Sequence, residues 1–150
     1  MNTDNGTRSS GSAGGAGTGR MDFKRITLSI HGTMAWSVDY EIVKTAGGAE
    51  ASHYEGDWLY NKLTSRRSCR KAHRKLSQAE YDELAKLFFE INVPSWNGKS
   101  WNDPNVMDGS SFSLDGELAD GSLVFASGTN EYPDNYGTFK QAMYDAAYGK

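Results

Sequence analysis

The chain has 150 residues, of which 37% are hydrophobic and 23% charged, and it contains 17 glycines and one cysteine. This length is enough for one domain. The formal net charge of −3 excludes a globally basic nucleic-acid binder, and one cysteine excludes both an intramolecular disulfide framework and any site built from several thiolates. No stretch has the length and apolarity of a membrane span.

Residues 1–20 contain no Ile, Val, Leu, Phe, Trp or Tyr, and their Gly- and Ser-rich composition predicts a disordered arm. Residues 21–150 are expected to form a single domain. The N-terminus lacks the basic and apolar segments of a secretory signal, so we expect a cytoplasmic location. We also expect the domain to be soluble and monomeric. The cell envelope remains an alternative if the N-terminus is processed or is a cloning artefact.

Alternating apolar residues predict two strands, over 26–30 and 34–42, joined by a connection that contains Gly32. A three-residue connection would set the pairing of the hairpin. The expected partners are Ile30 with Met34, Leu28 with Trp36, and Ile26 with Val38.

The sequence between Thr45 and Gly48 predicts a turn, and alternating aromatics from Ser52 to Tyr60 predict a third strand. Residues 61–75 are poor in apolar side chains and rich in Lys and Arg. They could form a solvated edge strand or a loop that leads into a helix. We favour the edge strand, because charges along an unpaired edge discourage association between sheets.

Ser77 followed three residues later by Glu80 is the pattern of a capping box, which predicts a helix starting there and stopping before Pro94. Residues 95–110 are interpreted as a long loop. One face of the helix is expected to be buried: Tyr81, Leu84, Leu87, Phe88 and Ile91.

Asp120 and Gly121 predict a two-residue turn in a second hairpin, with Leu118 opposite Leu123 and Gly116 opposite Phe125. The other face of this hairpin, carrying Ser113, Asp115 and Glu117, is expected to meet solvent. A second helix follows residues 133–135. Its predicted buried stripe consists of Tyr136, Phe139, Met143 and Ala146 or Ala147.

The predicted order is therefore three strands, an edge strand, a helix, two strands and a helix. Hairpins joined side by side give an antiparallel sheet, and the two amphipathic helices are expected to pack on one of its faces. The fold class predicted from the sequence is α+β.

Three short patterns carry a resemblance to a known group of proteins: 108–114 (DGSSFSL), 119–122 (ADGS) and 127–136 (SGTNEYPDNY), together with 32–40 (GTMAWSVDY). They resemble small α+β domains of uncharacterised bacterial proteins, many of them predicted lipoproteins, over about residues 25–148. The resemblance implies a fold rather than an activity. The chain departs from the lipoprotein members because it has no signal peptide with a lipid-accepting cysteine.

Loop aromatics are the first candidate site, because exposed Trp and Tyr on a rigid sheet are typical of recognition surfaces. The alternative is that these side chains only close the end of the core. The candidate partner-binding residues are Trp96, Trp101, Asn130 and Tyr132.

A basic segment from Arg66 to Lys75 is the second candidate, with six Lys and Arg and no acidic residue. Such a segment could bind a polyanion, with neighbouring aromatics as stacking faces. A solvated edge strand explains the same charges without a ligand. The candidate polyanion-binding residues are Arg66, Arg67, Arg70, Lys71 and Arg74.

Catalytic and metal sites find little support in the sequence. Cys69 has basic neighbours that could lower the pKa of its thiol. On a strand, however, positions four apart, such as Cys69 and His73, lie more than about 10 Å from each other, which is too far for a hydrogen bond. Three other groupings were considered: zinc bound by Cys69 with His31, His53 and His73; calcium in the loop 103–108; and acid/base work by Asp115 with Glu117. The spacing of the cysteine and histidines matches no compact zinc site. The loop 103–108 lacks oxygen ligands at positions where an EF-hand needs them. A solvent-facing strand explains the two carboxylates as well as catalysis does.

The sequence thus favours a non-enzymatic binding domain that recognises a protein partner and needs no cofactor or metal. Two alternatives stay open. One is a module that binds nucleic acid or another polyanion through residues 66–75, and the other is an enzyme of unknown class.

Overall fold

The computed structural model of the protein describes residues 19–32, 36–57, 63, 69–105 and 109–149. These residues form strands β1 to β7, helices α1 and α2, and a short 3-10 helix. In chain order the elements are β1 (Phe23–His31), β2 (Trp36–Thr45), β3 (Gly48–Asp57), β4 (Cys69–Ser77), α1 (Gln78–Glu90), the 3-10 helix (Val93–Trp96), β5 (Lys99–Asn102), β6 (Ser111–Leu118), β7 (Leu123–Thr129) and α2 (Tyr136–Tyr148).

The strands of the described residues form one seven-stranded sheet in the order β4-β3-β2-β1-β6-β7-β5. Every neighbouring pair is antiparallel except β7 and β5, which run parallel. The predicted α+β class is confirmed. None of the helices in the described ranges is long and apolar enough to cross a membrane.

Both helices cover the same face of the sheet, because strand alternation collects the apolar side chains there. Phe23 on β1 packs against Tyr81 and Phe88 of α1, with ring centroids 4.9 and 5.8 Å away. Tyr40 on β2 meets the edge of Tyr144 of α2 at 6.3 Å. The core therefore lies between one sheet face and two helices.

Helix α1 begins where the capping box predicts. The Ser77 hydroxyl accepts a hydrogen bond from the Glu80 backbone N–H at 3.1 Å, and the Glu80 carboxylate accepts one from the Ser77 N–H at 2.9 Å. This backbone hydrogen bond, followed by Arg74, lowers the pKa of the Glu80 carboxyl. Tyr81 and Phe88 are buried as expected, with Ala85 between them, while the leucines of the stripe are half-buried.

The N-terminal edge of the described chain is tied to α1. The Arg20 guanidinium lies 2.8 Å from both the Asp22 and the Asp82 carboxylates. The Met21 N–H donates to the Ala85 carbonyl at 2.8 Å. Arg20 falls within the predicted arm and is nevertheless part of the fold; residues 1–18 of that arm lie outside the described residues.

The register predicted for the first hairpin is wrong. Leu28 pairs with Tyr40 rather than Trp36, and Ile26 pairs with Ile42 rather than Val38. The last pair of the ladder before the connection is His31 with Ser37, so the connection is longer than the three residues predicted. The error is four residues, an even number, so the same side chains still face the core. Met34 lies outside the described residues.

The register predicted for the second hairpin is also wrong, by one residue. Gly116 pairs with Val124 instead of Phe125. The turn is longer than two residues: the Leu118 N–H donates to the Ser122 carbonyl at 2.8 Å, and Gly121 adopts a left-handed φ of 90°. A shift of one residue exchanges the two faces of a strand, so Phe125 points away from the helices and is 49% exposed.

The segment predicted as a long loop contains regular structure. Residues Val93–Trp96 form a 3-10 helix that begins beside Pro94, and Lys99–Asn102 form the last strand of the sheet. Strand β5 was missed because it has four residues and one large apolar side chain, too few for an alternating pattern. It pairs in parallel with β7, from Lys99 opposite Ala126 to Asn102 opposite Thr129.

The predicted basic strand does lie at an edge of the sheet, as β4. The third strand begins at Gly48, four residues before Ser52, directly after the predicted turn, and it is described as far as Asp57. Tyr54 lies on the face opposite buried His53. Trp58 and Tyr60 lie outside the described residues.

Candidate recognition site

A groove of about 510 Å³ lies between the C-terminal end of α1, strand β5 and the segment that joins β7 to α2. Trp101 of β5 and Tyr132 of the joining segment form aromatic walls, and Trp96 of the 3-10 helix lines the floor. The structure therefore brings together three of the four predicted partner-binding residues. The described lining also includes Ile91, Asn92, Ser95, Lys99, Glu131, Pro133, Asp134 and Asn135.

Tyr132 is held in a fixed place by two kinds of contact. Its ring stacks on buried Phe112 at 5.6 Å and on Tyr136 at 4.6 Å. Its hydroxyl lies 2.6 Å from that of Ser110, and either group can donate. Tyr132 still has 37% of its surface exposed, so part of this fixed residue is accessible to a ligand.

Trp96 and Asn130 contribute mainly to the fold rather than to the exposed surface of the groove. Trp96 is only 4% exposed and meets the edge of Phe139 at 5.5 Å. Asn130 has a left-handed φ of 60°, and its N–H donates to the Ser110 carbonyl at 3.0 Å. Asn130 is not among the described groove-lining residues; it sets the turn that carries Tyr132.

The groove also contains charged residues in addition to the predicted partner-binding residues. Lys99 lies at one side, and Glu131 and Asp134 lie on the joining segment; all three are exposed. These three residues line one groove only because β5 lies at the edge of the sheet, a position that the sequence did not predict. The four residues Lys99–Asn102 are too few to show an alternating pattern, so the sequence offers no signal that would have placed Lys99 beside Trp101.

The basic segment is divided by the structure. Arg70 and Lys71 are exposed on β4, whereas Arg74 points to the helix face. The Arg74 guanidinium donates to the Ala146 carbonyl at 3.0 Å and lies 2.9 Å from the Glu80 carboxylate. Arg66 and Arg67 lie outside the described residues. Arg74 therefore stabilises the packing of α1 and α2 rather than adding to an exposed basic surface.

A buried histidine forms a separate polar cluster under the C-terminal end of α2. His53 is 4% exposed, and its Nδ1 lies 2.5 Å from the Tyr148 hydroxyl. Its Nε2 lies 3.1 Å from a Glu55 carboxylate oxygen, but the contact is not aligned as a hydrogen bond. Tyr40 stacks on the imidazole at 4.8 Å.

Burial controls the protonation of this cluster. Desolvation lowers the pKa of His53, against the opposing effect of Glu55, and Lys71 lowers the pKa further. Desolvation raises the pKa of Tyr148 and raises that of Tyr40 to about 12. Neutral His53 accepting the Tyr148 proton at Nδ1 is the arrangement that these shifts favour.

The burial of His53 predicts a loss of stability in acid. Because the folded-state pKa is below the ordinary value near 6.5, the unfolded chain binds the extra proton first. The contribution of neutral His53 to the free energy of unfolding is fully present above about pH 6.5. It falls as the pH is lowered, at most by about 1.4 kcal/mol per pH unit for one proton. Urea denaturation at several pH values measures the slope.

Replacing His53 by Phe removes this proton and is expected to flatten the slope between about pH 6.5 and pH 5. His73→Gln replaces the exposed histidine of β4 and shows whether the change in slope is specific to position 53. Equal slopes in the His53→Phe variant and the unaltered protein would contradict the assignment.

The other residues considered for metal binding or catalysis do not form a common site among the described residues. His73 Nδ1 lies 3.0 Å from the Ser52 hydroxyl, while Cys69 is exposed at the start of β4. Asp115 and Glu117 lie on the outer face, where Arg25 and Lys24 approach them at 3.4 and 3.5 Å. Within the described residues, no group of three His, Cys, Asp or Glu is placed to hold a metal ion.

The short patterns of the C-terminal half come together around the groove. A Cβ on Gly109 would lie 1.5 Å from the Asn130 amide oxygen, and one on Gly128 would lie 2.5 Å from the Phe112 ring. The spacing of these residues is thus set by close packing behind Tyr132. Asp108 lies outside the described residues.

The chain significantly matches no protein-family model, no curated protein and no solved structure. The α+β fold and the groove are therefore the basis for assigning a function.

Proposed function

We propose that the protein is a binding domain that recognises a segment of a partner protein in the groove between β5 and the segment joining β7 to α2. One observation carries the proposal: Trp101 and Tyr132, 31 positions apart, form the walls of a single groove of about 510 Å³. A concave site with fixed aromatic side chains and a few polar groups is typical of ligand recognition.

The chemistry of the lining supports binding rather than catalysis. The Ser95 hydroxyl donates to the Asn92 carbonyl at 2.7 Å, which directs it toward the backbone. Among the described lining residues there is neither a histidine nor a cysteine to act as base or nucleophile. His53 belongs to the separate cluster under α2.

The charges of the groove favour a basic ligand. Glu131 and Asp134 are exposed and line the groove together with Tyr132, so its two carboxylates outnumber the one ammonium group, that of Lys99. A Lys or Arg side chain would gain from both carboxylates and from the face of the ring. We therefore expect a partner segment with at least one basic residue, which separates this proposal from polyanion binding.

The test is a selection of peptides from a random display library on the immobilised protein, followed by affinity measurement and NMR mapping. We expect enriched peptides to contain Lys or Arg and to shift the signals of Lys99, Trp101 and Tyr132. Peptides that shift only β4 signals, or no enrichment at all, would overturn the proposal.

Charge reversal tests the groove. The double variant Glu131→Lys/Asp134→Lys should lower the affinity of a selected peptide by about tenfold or more, since two attractive contacts become repulsive. The matched control Asp57→Lys/Glu83→Lys changes the net charge by the same amount at two exposed carboxylates that do not line the groove, and should leave the affinity within about twofold. Equal losses in both variants would show a nonspecific effect of net charge.

A further inference from the structure

We propose that the partner segment binds as an additional strand on the outer edge of β5, with alternate side chains directed to opposite faces of the sheet. This inference rests on the proposed function, because it specifies how the same groove is used. The proposed ligand is an extended segment of a protein in which basic and apolar residues alternate.

The position of β5 supplies the first argument. It is the last strand of the sheet and pairs with β7 through Lys99–Asn102. In the part of the chain that the structure describes, no strand pairs with its other edge. A β-strand has hydrogen-bonding groups on both edges, so β5 offers backbone donors and acceptors to an extended segment.

The two faces of this edge supply the second argument. The groove lies on the helix side of β5, and a second depression of about 510 Å³ lies on the outer face, over β6, β7 and β5. Lys99 lines both. Side chains of an added strand would point alternately into the two depressions, since neighbours on a strand lie on opposite faces.

The chemistry of the depressions differs. The inner groove has the carboxylates of Glu131 and Asp134, which favour Lys or Arg. The outer depression has Phe125, which is 49% exposed on β7, with Ser100 and Ser127 around it. Asp115 also lines the outer depression, but the Arg25 guanidinium lies 3.4 Å from its carboxylate and offsets its charge. A Leu, Ile or Phe side chain could cover Phe125 across Ser100.

This arrangement predicts a spacing rule. A basic residue and an apolar residue that occupy opposite faces must be separated by an odd number of positions along the partner segment. Residues that share the inner groove must be separated by an even number. The opposite edge, β4, carries Lys71 and Lys75, whose charges oppose strand addition.

The strand is four residues long, so few backbone hydrogen bonds can form. Short edge strands are one means by which proteins limit association between sheets. Binding must therefore require side chains in both depressions, which makes the proposed site selective rather than generally adhesive.

The experiment is a backbone N-methyl scan of the tightest peptide from the display selection. Methylation removes one N–H donor and blocks close approach to the strand. In the residues that contact β5, we expect alternate methylated positions to lose about tenfold or more in affinity, and the positions between them to change by less than about threefold. Uniform tolerance of methylation would overturn strand addition.

Failure of this inference can be separated from failure of the proposed function. A peptide that shifts Trp101 and Tyr132 in NMR but tolerates every methylation binds the groove without adding a strand, and the proposed function stands. Failure to select any peptide for the groove overturns both. Phe125→Ser is the second measurement: it should lower affinity for peptides with an apolar residue at the odd spacing by about fivefold or more.

Discussion

Replacing Phe139 by Ala is expected to lower the free energy of unfolding by about 3–5 kcal/mol. Phe139 has 0% exposure and lies in the first turn of α2, with its ring 5.0 Å from Phe88 and 5.5 Å from Trp96. Truncation leaves a cavity between both helices and the floor of the groove. Urea denaturation followed by far-UV circular dichroism measures the loss.

Lys140→Ala is the control for this prediction. Lys140 is the next residue of α2, and its side chain is exposed, so its removal should change stability by less than about 0.5 kcal/mol. A loss below about 1 kcal/mol for the Phe139 variant would mean that α2 does not pack on α1 as described.

Gly128→Ala is expected to have the second largest effect, a loss of about 3 kcal/mol. A Cβ at this position would lie 2.4 Å from the Glu131 carbonyl oxygen and 2.5 Å from the Phe112 ring. The backbone oxygen cannot rotate away, so the segment that carries Tyr132 must move. The variant should therefore lose peptide binding as well as stability, which thermal denaturation and an affinity titration measure together.

Gly137→Ala adds the same methyl group where no atom lies within 4 Å. Gly137 is in the first turn of α2, so alanine should leave stability unchanged or raise it by up to about 1 kcal/mol. Similar losses at Gly128 and Gly137 would contradict the close packing behind Tyr132.

The helices and the core were predictable because their signals are local. Ser77 and Glu80 sit at the separation that a capping box requires, and the α1 stripe repeats at helical spacing. The buried stripe of α2, including Phe139 and Met143, was also predicted. Each of these predictions needs only the residues within one element.

Strand register was less predictable because it depends on the turn. Both connections are longer than the turns their sequences suggest. In the first hairpin the even shift kept Leu28 on the core face, whereas in the second a shift of one residue moved Phe125 to the outer face. Periodicity alone therefore identified the strands without fixing their partners.

The groove was only partly predictable. Trp101 and Tyr132 were selected because large aromatic residues in connecting segments need an explanation, and the structure places both in one groove. Lys99 and Asp134 were missed, since their importance comes from the parallel pairing of β5 with β7. That pairing joins residues more than twenty positions apart and leaves no local pattern.

The two edges of the sheet are anchored in different ways. Ser77 is both the last residue of β4 and the N-cap of α1, so separating β4 from β3 also removes a helix cap. Strand β5 pairs with β7 through a ladder of four residues, and neither end of β5 is the cap of a helix of the described residues. Opening at the β4 edge therefore spreads into the helical layer, whereas opening at β5 can remain confined to that edge, as a small cooperative unit of its own.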